Sequence, residues 1–390
     1  MKITKIECIP CTLPRKEGPP DSNVVLVKMH TDEGIIGVAE GGTCNQDATM
    51  LAIQQWEPFL IGADPFDIQI IMSKLHRFIT TNATAVGTID FCLYDIVGQA
   101  LRLPVYKLLG GKAAPKLGLA MMVTRGGPKE KAASAARAVE GGVKTIMVKV
   151  GPTWGNVSIA DDYANLKAVR EAVGDDINVG VDANGGLDYT SALDLCLRLE
   201  QLNIYKVEQP VPTWDVDGLA RLHYKLRSHV TAHESAMTIS GLLDCIRKDA
   251  CDSVCIKVVW SGGIMKSKEW LAIAKGANLA ISCGAMVGSG YEAAAQAHFL
   301  ASDAWCSKLD HYNLGPVLIH NQFDTTGPAI HDDLSLNPPV FKDGYFYAPD
   351  GPGLGLELNE EMVPRLMTPG KDSIVLTGEG AKQFAMAGGH

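Results

Sequence analysis

The sequence predicts a closed α/β barrel carried behind a smaller α+β domain, and three observations lead there. From Pro115 onward, short apolar runs alternate with amphipathic stretches at even spacing; ionisable residues fall at the carboxyl ends of successive runs; and the first third of the chain has a different texture. The alternation reads as parallel βα units, and eight or so of them favour closure. A doubly wound open sheet is the competing architecture.

The elements follow in order. Residues 2–38 read as strands around a Pro/Gly/charge-rich loop at 14–22, with VVLVKMHTDEGIIGVAE forming a hairpin through Asp32, Glu33 and Gly34. Between about 46 and 109 the period becomes helical, most clearly in TAVGTIDFCLYDIVGQALRLP, which ends near Pro104. Strands are then predicted near 117–121, 145–150, 178–182, 205–208, 230–233, 253–257, 279–282 and 305–309. Helices lie between them, as in KEKAASAARAVEGG, DDYANLKAVREAVG, YTSALDLCLRLEQL and GLLDCIRKDA, several stopped by glycine. The closing stretch, from VFKDGYFYAPDGPGLGLELNEE onward, loses this rhythm and reads as strands and turns returning to the N-terminal domain. Gly351, Gly353 and Gly355 read as turn formers, because no parallel strand precedes them and no helix follows, as a dinucleotide fingerprint requires.

Composition narrows the function classes. The chain has 390 residues, 46% of them hydrophobic, and a net charge of −9, which argues against a nucleic-acid or anionic-membrane partner. Neither a signal-peptide core nor a membrane-length apolar run is visible, so a cytoplasmic location is the expectation. The ten cysteines are scattered singly in apolar contexts, which fits buried thiols in a reducing compartment; the lone pair Cys8 and Cys11 reads as coincidence in a strand.

The polar residues break the tie between barrel and open sheet. Lys149 in TIMVKVG, Asp182 in VGVDANG, Glu208 in KVEQP, Glu234 in TAHES and Lys257 in VCIKVV all fall at strand ends, the face where barrel loops build active sites. Asp182, Glu208 and Glu234 are spaced 26 residues apart, one βα unit each, so a barrel makes them converge. Three oxygen donors on rigid strands suit Mg²⁺, with Mn²⁺ as the alternative; His233 could replace or join Glu234 and would favour a softer metal. Lys149 and Lys257, at the second and sixth strands, would face each other across the barrel, and a nearby cation with partial burial makes each a candidate base. Such a cation would stabilise the enediolate formed when a proton α to a carboxylate leaves.

These residues resemble the enolase superfamily, more closely its muconate-lactonizing-enzyme and mandelate-racemase branches. The likeness runs over nearly the whole chain: IDFCLYDIVGQALRLPVYKLLGG, then VKVG, VDANG, VEQP, HES and IKVVWSGGI in order, then PDGPGLGLE. It implies an α+β capping domain over a modified (β/α)₇β barrel, divided as 1–115 for the cap, 116–344 for the barrel and 345–390 for a segment returning to the cap. It implies a catalytic Mg²⁺, with Lys149 and Lys257 as catalytic lysines and Asp182 and Glu208 as metal ligands. Glu234 takes the third ligand role as in mandelate-racemase-like relatives, while lactonizing enzymes use the position of His233.

Three positions depart from the pattern. Met147 stands where the family has the first lysine of its KxK motif, Gly288 where relatives often place an acid, and Lys308 where Asp310 would have an acidic neighbour. Asp310 matches an ammonium-binding position of dipeptide epimerases, and Trp260 could lie against a ring or amine cation; packing and a loop salt bridge are the alternatives. The expected activity is a racemase or epimerase acting on a small amino-acid-derived or hydroxy acid. A dehydratase of a hydroxylated amino acid or sugar acid, a muconate-type cycloisomerase and an inactive metal-binding barrel are the alternatives, and a homo-oligomer is the expected assembly. Specificity is expected from loops 14–22 and 44–50.

Overall fold

The computed structural model describes residues 1–14, 22–41, 45–78, 82–124, 126–155, 158–286, 288–312 and 333–378. Most of loop 14–22, Cys44 of the second expected specificity loop, and the chain between 313 and 332 lie outside the described residues. The N-terminal unit is an antiparallel sheet of β1 (Ile3–Leu13), β2 (Ser22–Thr31) and β3 (Ile36–Gly41). The β2–β3 turn falls at the expected residues, and Gly34 supplies the positive φ of 80° it needs. Buried Ile3, Ile6, Val25, Val27 and Met29 seat this sheet on a helix, Ala83–Leu101. That helix starts where the Asn82 side chain accepts from the Ala85 amide, 3.0 Å, and stops at Arg102 in left-handed conformation two residues before Pro104.

The second unit is a seven-stranded parallel sheet in sequential order. A two-residue strand, β4 (Leu117–Gly118), precedes it. The sheet itself comprises β5 (Ala120–Val123), β6 (Thr145–Lys149), β7 (Asn178–Asp182), β8 (Lys206–Glu208), β9 (His229–Ala232), β10 (Ser253–Ile256) and β11 (Ala280–Cys283). Helices from Pro128–Glu140 to Gly290–Ala301 cover its outer side.

The sheet closes, but not through the expected eighth strand. Residues 304–307 form a 3₁₀ turn, because the Asp303 carboxylate accepts from the Trp305 amide, 2.9 Å, and bends the chain. Closure passes to the residues just beyond: His311 N donates to Gly118 O, 2.9 Å, Ala120 N to His311 O, 2.8 Å, and Tyr312 N to Cys283 O, 2.8 Å. The first barrel strand likewise differs from expectation, since 117–118 leaves the barrel to pair antiparallel with a hairpin of β12 (Phe341–Lys342) and β13 (Tyr345–Phe346).

The chain then returns to the N-terminal unit, where β14 (Ile374–Leu376) becomes an edge strand antiparallel to β1. On the way Gly353, at φ 67°, passes over Gly98, where a Cβ would lie 2.6 Å from its Cα. Turn formation and close approach are thus what this glycine run provides. The nine described cysteines are free and buried, and burial pushes the Cys8 and Cys11 thiols up to about 12. Among the described residues no helix is long and apolar enough to cross a membrane.

Candidate active site

Parallel register places the site. Lys149, Asp182 and Glu208 occupy one row across β6, β7 and β8, and in each strand they are the last residue. Residues two positions earlier form the row beneath, Met147, Gly180 and Lys206. Gly180 is required there, since a Cβ would meet Met147 Sδ at 2.6 Å. Met147 is fully buried and fills the barrel where a KxK lysine would stand.

The upper row is tied together by charge. The Lys149 ammonium donates to Asp182 Oδ2 and to Asn184 Oδ1. Asn184, held at φ 45°, passes the network on by donating from Nδ2 to Glu234 Oε1, 2.8 Å, while its backbone amide donates to Asp182 Oδ1, 2.9 Å. Glu208 receives Lys206 Nζ and the Tyr312 hydroxyl on Oε2, both at 2.8 Å. Its Oε1 lies 2.9 Å from His233 Nδ1, off the line of a hydrogen bond. Gln209 fixes the turn after β9: its Oε1 accepts from the backbone amides of His233 and Ser235, and its Nε2 donates to Ser235 Oγ.

Burial and pairing pull these groups apart. Burial raises Asp182, with Lys149 opposing and Glu208 reinforcing the rise. Burial also works against ionised Glu208, but Lys206 and His233 outweigh it and hold that carboxyl well below the usual range. Lys206 is held protonated in return: desolvation opposes the ammonium and Glu208 overcomes it. For Glu234, burial again opposes charge and His233 overrides it, lowering the carboxyl. His233 itself, disfavoured by burial but stabilised by Cys255 and Glu234 against Lys257, is pushed up to about 10.

Lys257 follows β10, where period-two alternation puts Ser253, Cys255 and Lys257 on the interior face. Among the described residues its ammonium has no carboxylate within ion-pair reach; it lies 4.2 Å from the Trp260 ring centroid. Its stem runs past Gly284, whose hypothetical Cβ would sit 3.0 Å from Lys257 Cγ. Trp260 therefore packs on a site lysine.

The structure corrects the expectation for Asp310. Its Oδ2 accepts from Thr145 Oγ1, 2.6 Å, and a Cβ on Gly118 would collide with its Oδ1. Thr145 begins β6 and Lys149 ends it, so Asp310 lies at the opposite end of the strands from the ionisable row and cannot touch a substrate there. Gly288 has its own explanation. A side chain at 288 would meet Glu40 Oε1 at 2.0 Å and Glu292 Oε2 at 2.6 Å, so two other carboxylates already hold that space.

Lys206, Asn184, Tyr312 and Cys255 join the site without having been singled out from sequence. For Lys206 and Cys255 a signal existed, since each sits two residues before a chosen one on the same strand face. Asn184 was visible within VDANG, but Tyr312 follows a turn and carried none.

Asp182, Glu208 and Glu234 offer oxygen donors, the ligand type that a hard divalent cation prefers, while the group of donors within 4.8 Å of one another among the described residues is Glu208, His233 and Cys255. Glu208 Oε1 and Glu234 Oε2 are buried without a hydrogen bond and face His233 Nδ1 at 2.9 and 3.7 Å, so each has an acceptor position that a cation could take.

Family models agree with this architecture at both ends. Residues 17–110 match the mandelate racemase/muconate lactonizing enzyme N-terminal domain, and 130–362 match the enolase C-terminal domain-like family. A mandelate racemase/muconate lactonizing family protein from Azoarcus sp. EbN1 superposes with a TM-score of 0.91 at 40% identity, covering 97% of this chain and 100% of that one. The N-succinyl-L-Arg/Lys racemase of Bacillus cereus is 29% identical over 94% of this chain and 98% of its own. A Cytophaga hutchinsonii dipeptide epimerase, solved with Mg and the dipeptide D-Ala-L-Val, superposes with a TM-score of 0.86 at 25% identity, covering 96% and 100%. With a row of carboxylates and a lysine ending adjacent strands, and with both halves matched, this chain is an enzyme of the mandelate racemase/muconate lactonizing branch of the enolase superfamily.

Proposed function

We propose that this enzyme removes and returns the proton α to the carboxylate of a small amino-acid-derived or hydroxy acid, acting as a racemase or epimerase. In this reading Asp182, Glu208 and Glu234 hold Mg²⁺, and Lys149 and Lys257 address the two faces of the α-carbon. The observation that carries it is the strand-end row Lys149–Asp182–Glu208, in which Lys149 bonds Asp182, with a second lysine, Lys257, four strands further round. A cation bound there withdraws charge from the substrate carboxylate and so acidifies the adjacent carbon.

The chain's own residues supply the rest. Asn184 orients the Lys149 ammonium and Glu234 together, since it bonds both. Lys206 and Tyr312 fix Glu208 from below through the same oxygen. Lys149, held between Asp182 and Asn184, stands as the proton donor, and Lys257, resting on Trp260 without an ion-pair partner among the described residues, stands as the acceptor. For the opposite enantiomer the roles exchange.

The domain division belongs to the same proposal: 1–115 as cap, the barrel from 116, and a C-terminal return. Its last boundary is better drawn after Phe346 than after 344, which would split the β12–β13 hairpin. The test is a screen of carboxylic acids in heavy water with Mg²⁺ supplied. The reading predicts deuterium at the α-carbon with the carbon skeleton retained. A keto or unsaturated acid would assign the dehydratase reaction instead, a lactone the cycloisomerase, and no exchange with any acid would contradict the proposal.

A further inference from the structure

We propose that Glu208, His233 and Cys255 form a second, softer metal site inside the barrel, selective for zinc-like ions and built around the carboxyl ends of β8, β9 and β10. One carboxylate oxygen, one imidazole nitrogen and the Cys255 Sγ lie within 4.8 Å of one another, and all three residues are buried. Both ring nitrogens of His233 and Oε1 of Glu208 are buried without a hydrogen bond, and Glu208 Oε1 faces His233 Nδ1 at 2.9 Å, a charge contact that a bound metal would replace. Strand geometry fixes the arrangement: Cys255 points inward because it alternates with outward Val254 and Ile256, and Gln209 holds the His233 backbone through its amide, 2.9 Å.

The donor set decides the ion. A thiolate and an imidazole favour Zn²⁺ or Co²⁺ over Mg²⁺, whose preference is for oxygen in an octahedron. Four-coordinate bonds of roughly 2.0–2.3 Å set ligand atoms about 3.3–3.8 Å apart, between the present 2.9 Å from Glu208 Oε1 to His233 Nδ1 and the 4.8 Å within which the cluster lies, so small side-chain rotations reach it. On binding, the Cys255 S–H bond and one His233 N–H bond break, the sulfur and the ring nitrogen keep the electron pairs for the metal, and both protons go to solvent. The fourth position is left for water or for Glu234 Oε2, 3.7 Å from His233 Nδ1. Because Glu208 serves both sites, zinc and magnesium compete, a consequence that rests on the magnesium reading above. The site itself does not.

Cobalt tests it without any substrate. Metal-free enzyme titrated with Co²⁺ should develop one thiolate-to-cobalt charge-transfer band per chain, with the strong visible absorption of four-coordinate cobalt. Zn²⁺ should abolish both in equimolar amount. Cys255→Ser should lose the charge-transfer band, and His233→Gln should weaken cobalt binding at least tenfold, with circular dichroism confirming that each variant folds. Zinc-edge X-ray absorption of the unaltered enzyme guards against a variant that does not fold, and should show one sulfur neighbour at about 2.3 Å. Weak six-coordinate cobalt absorption, a band that persists in Cys255→Ser, or a zinc shell without sulfur would each overturn the proposal.

Discussion

At Asn184 the whole upper network depends on one small side chain, which accepts from Lys149 and donates to Glu234 while its backbone takes a left-handed φ of 45°. Replacing it with alanine keeps the strand ends but releases a proposed base from a proposed ligand. Magnesium affinity measured by titration should fall about 10–100-fold, the usual effect of losing a group that orients a metal ligand. The row beneath shows how this chain differs from its relatives. Met147 removes an amine from β6, and Lys206 stands in the same layer on β8, but its charge is spent on Glu208 rather than on Lys149. The chosen acids and lysines were legible from their strand-end positions. Lys206 and Cys255 carry only the weak signal of lying two residues before Glu208 and Lys257, since a lysine or cysteine inside an apolar strand otherwise looks like any other. Asp310 was misplaced for the converse reason: it matched a motif, while the turn at 304–307 carried it to the other end of the barrel.

Between elements, the two units are joined by buried carboxylates that cap helices across the boundary. Asp90, on the helix Ala83–Leu101, accepts from the Ile264 amide at 2.5 Å and so caps the helix Ile264–Gly276 that follows the Lys257 loop. Burial pushes Asp90 from its ordinary 3.8 up to about 8, and its other oxygen has no partner. Between those values the folded chain keeps a proton that the unfolded chain has released, so the contribution of Asp90 to stability is fully present below its ordinary value and is lost as pH rises toward 8. Glu40, raised to about 8, and Asp95, raised to about 6, act in the same direction. Asp90→Asn should therefore flatten the decline of the unfolding temperature between pH 5 and 8 without removing it, as read by calorimetry. Sequence periodicity located the helices well, because their apolar faces and caps are local. The eighth strand was not recoverable, because closure by 311–312 depends on two distant strand edges and on no pattern of its own.

Over the whole molecule, the barrel gathers paired acids and lysines at the carboxyl ends of its strands, and the N-terminal unit is fastened to it by the returning chain through β14. A cation that binds only the folded state stabilises it by about 2.7 kcal/mol at a hundredfold excess over its dissociation constant. Magnesium should therefore raise the unfolding temperature of the native enzyme, and Asp182→Asn should lose most of that rise while remaining folded. Opposed lysines remain the central claim, and each should serve one face of the substrate. The most direct test follows α-deuterium uptake into each enantiomer of a turned-over acid separately, with Lys149→Ala and Lys257→Ala. Each variant should lose uptake into one enantiomer by about 10²–10⁴-fold, keep it with the other, and fail to interconvert them. Equal loss from both enantiomers in both variants, or full interconversion by either, would contradict the two-lysine account.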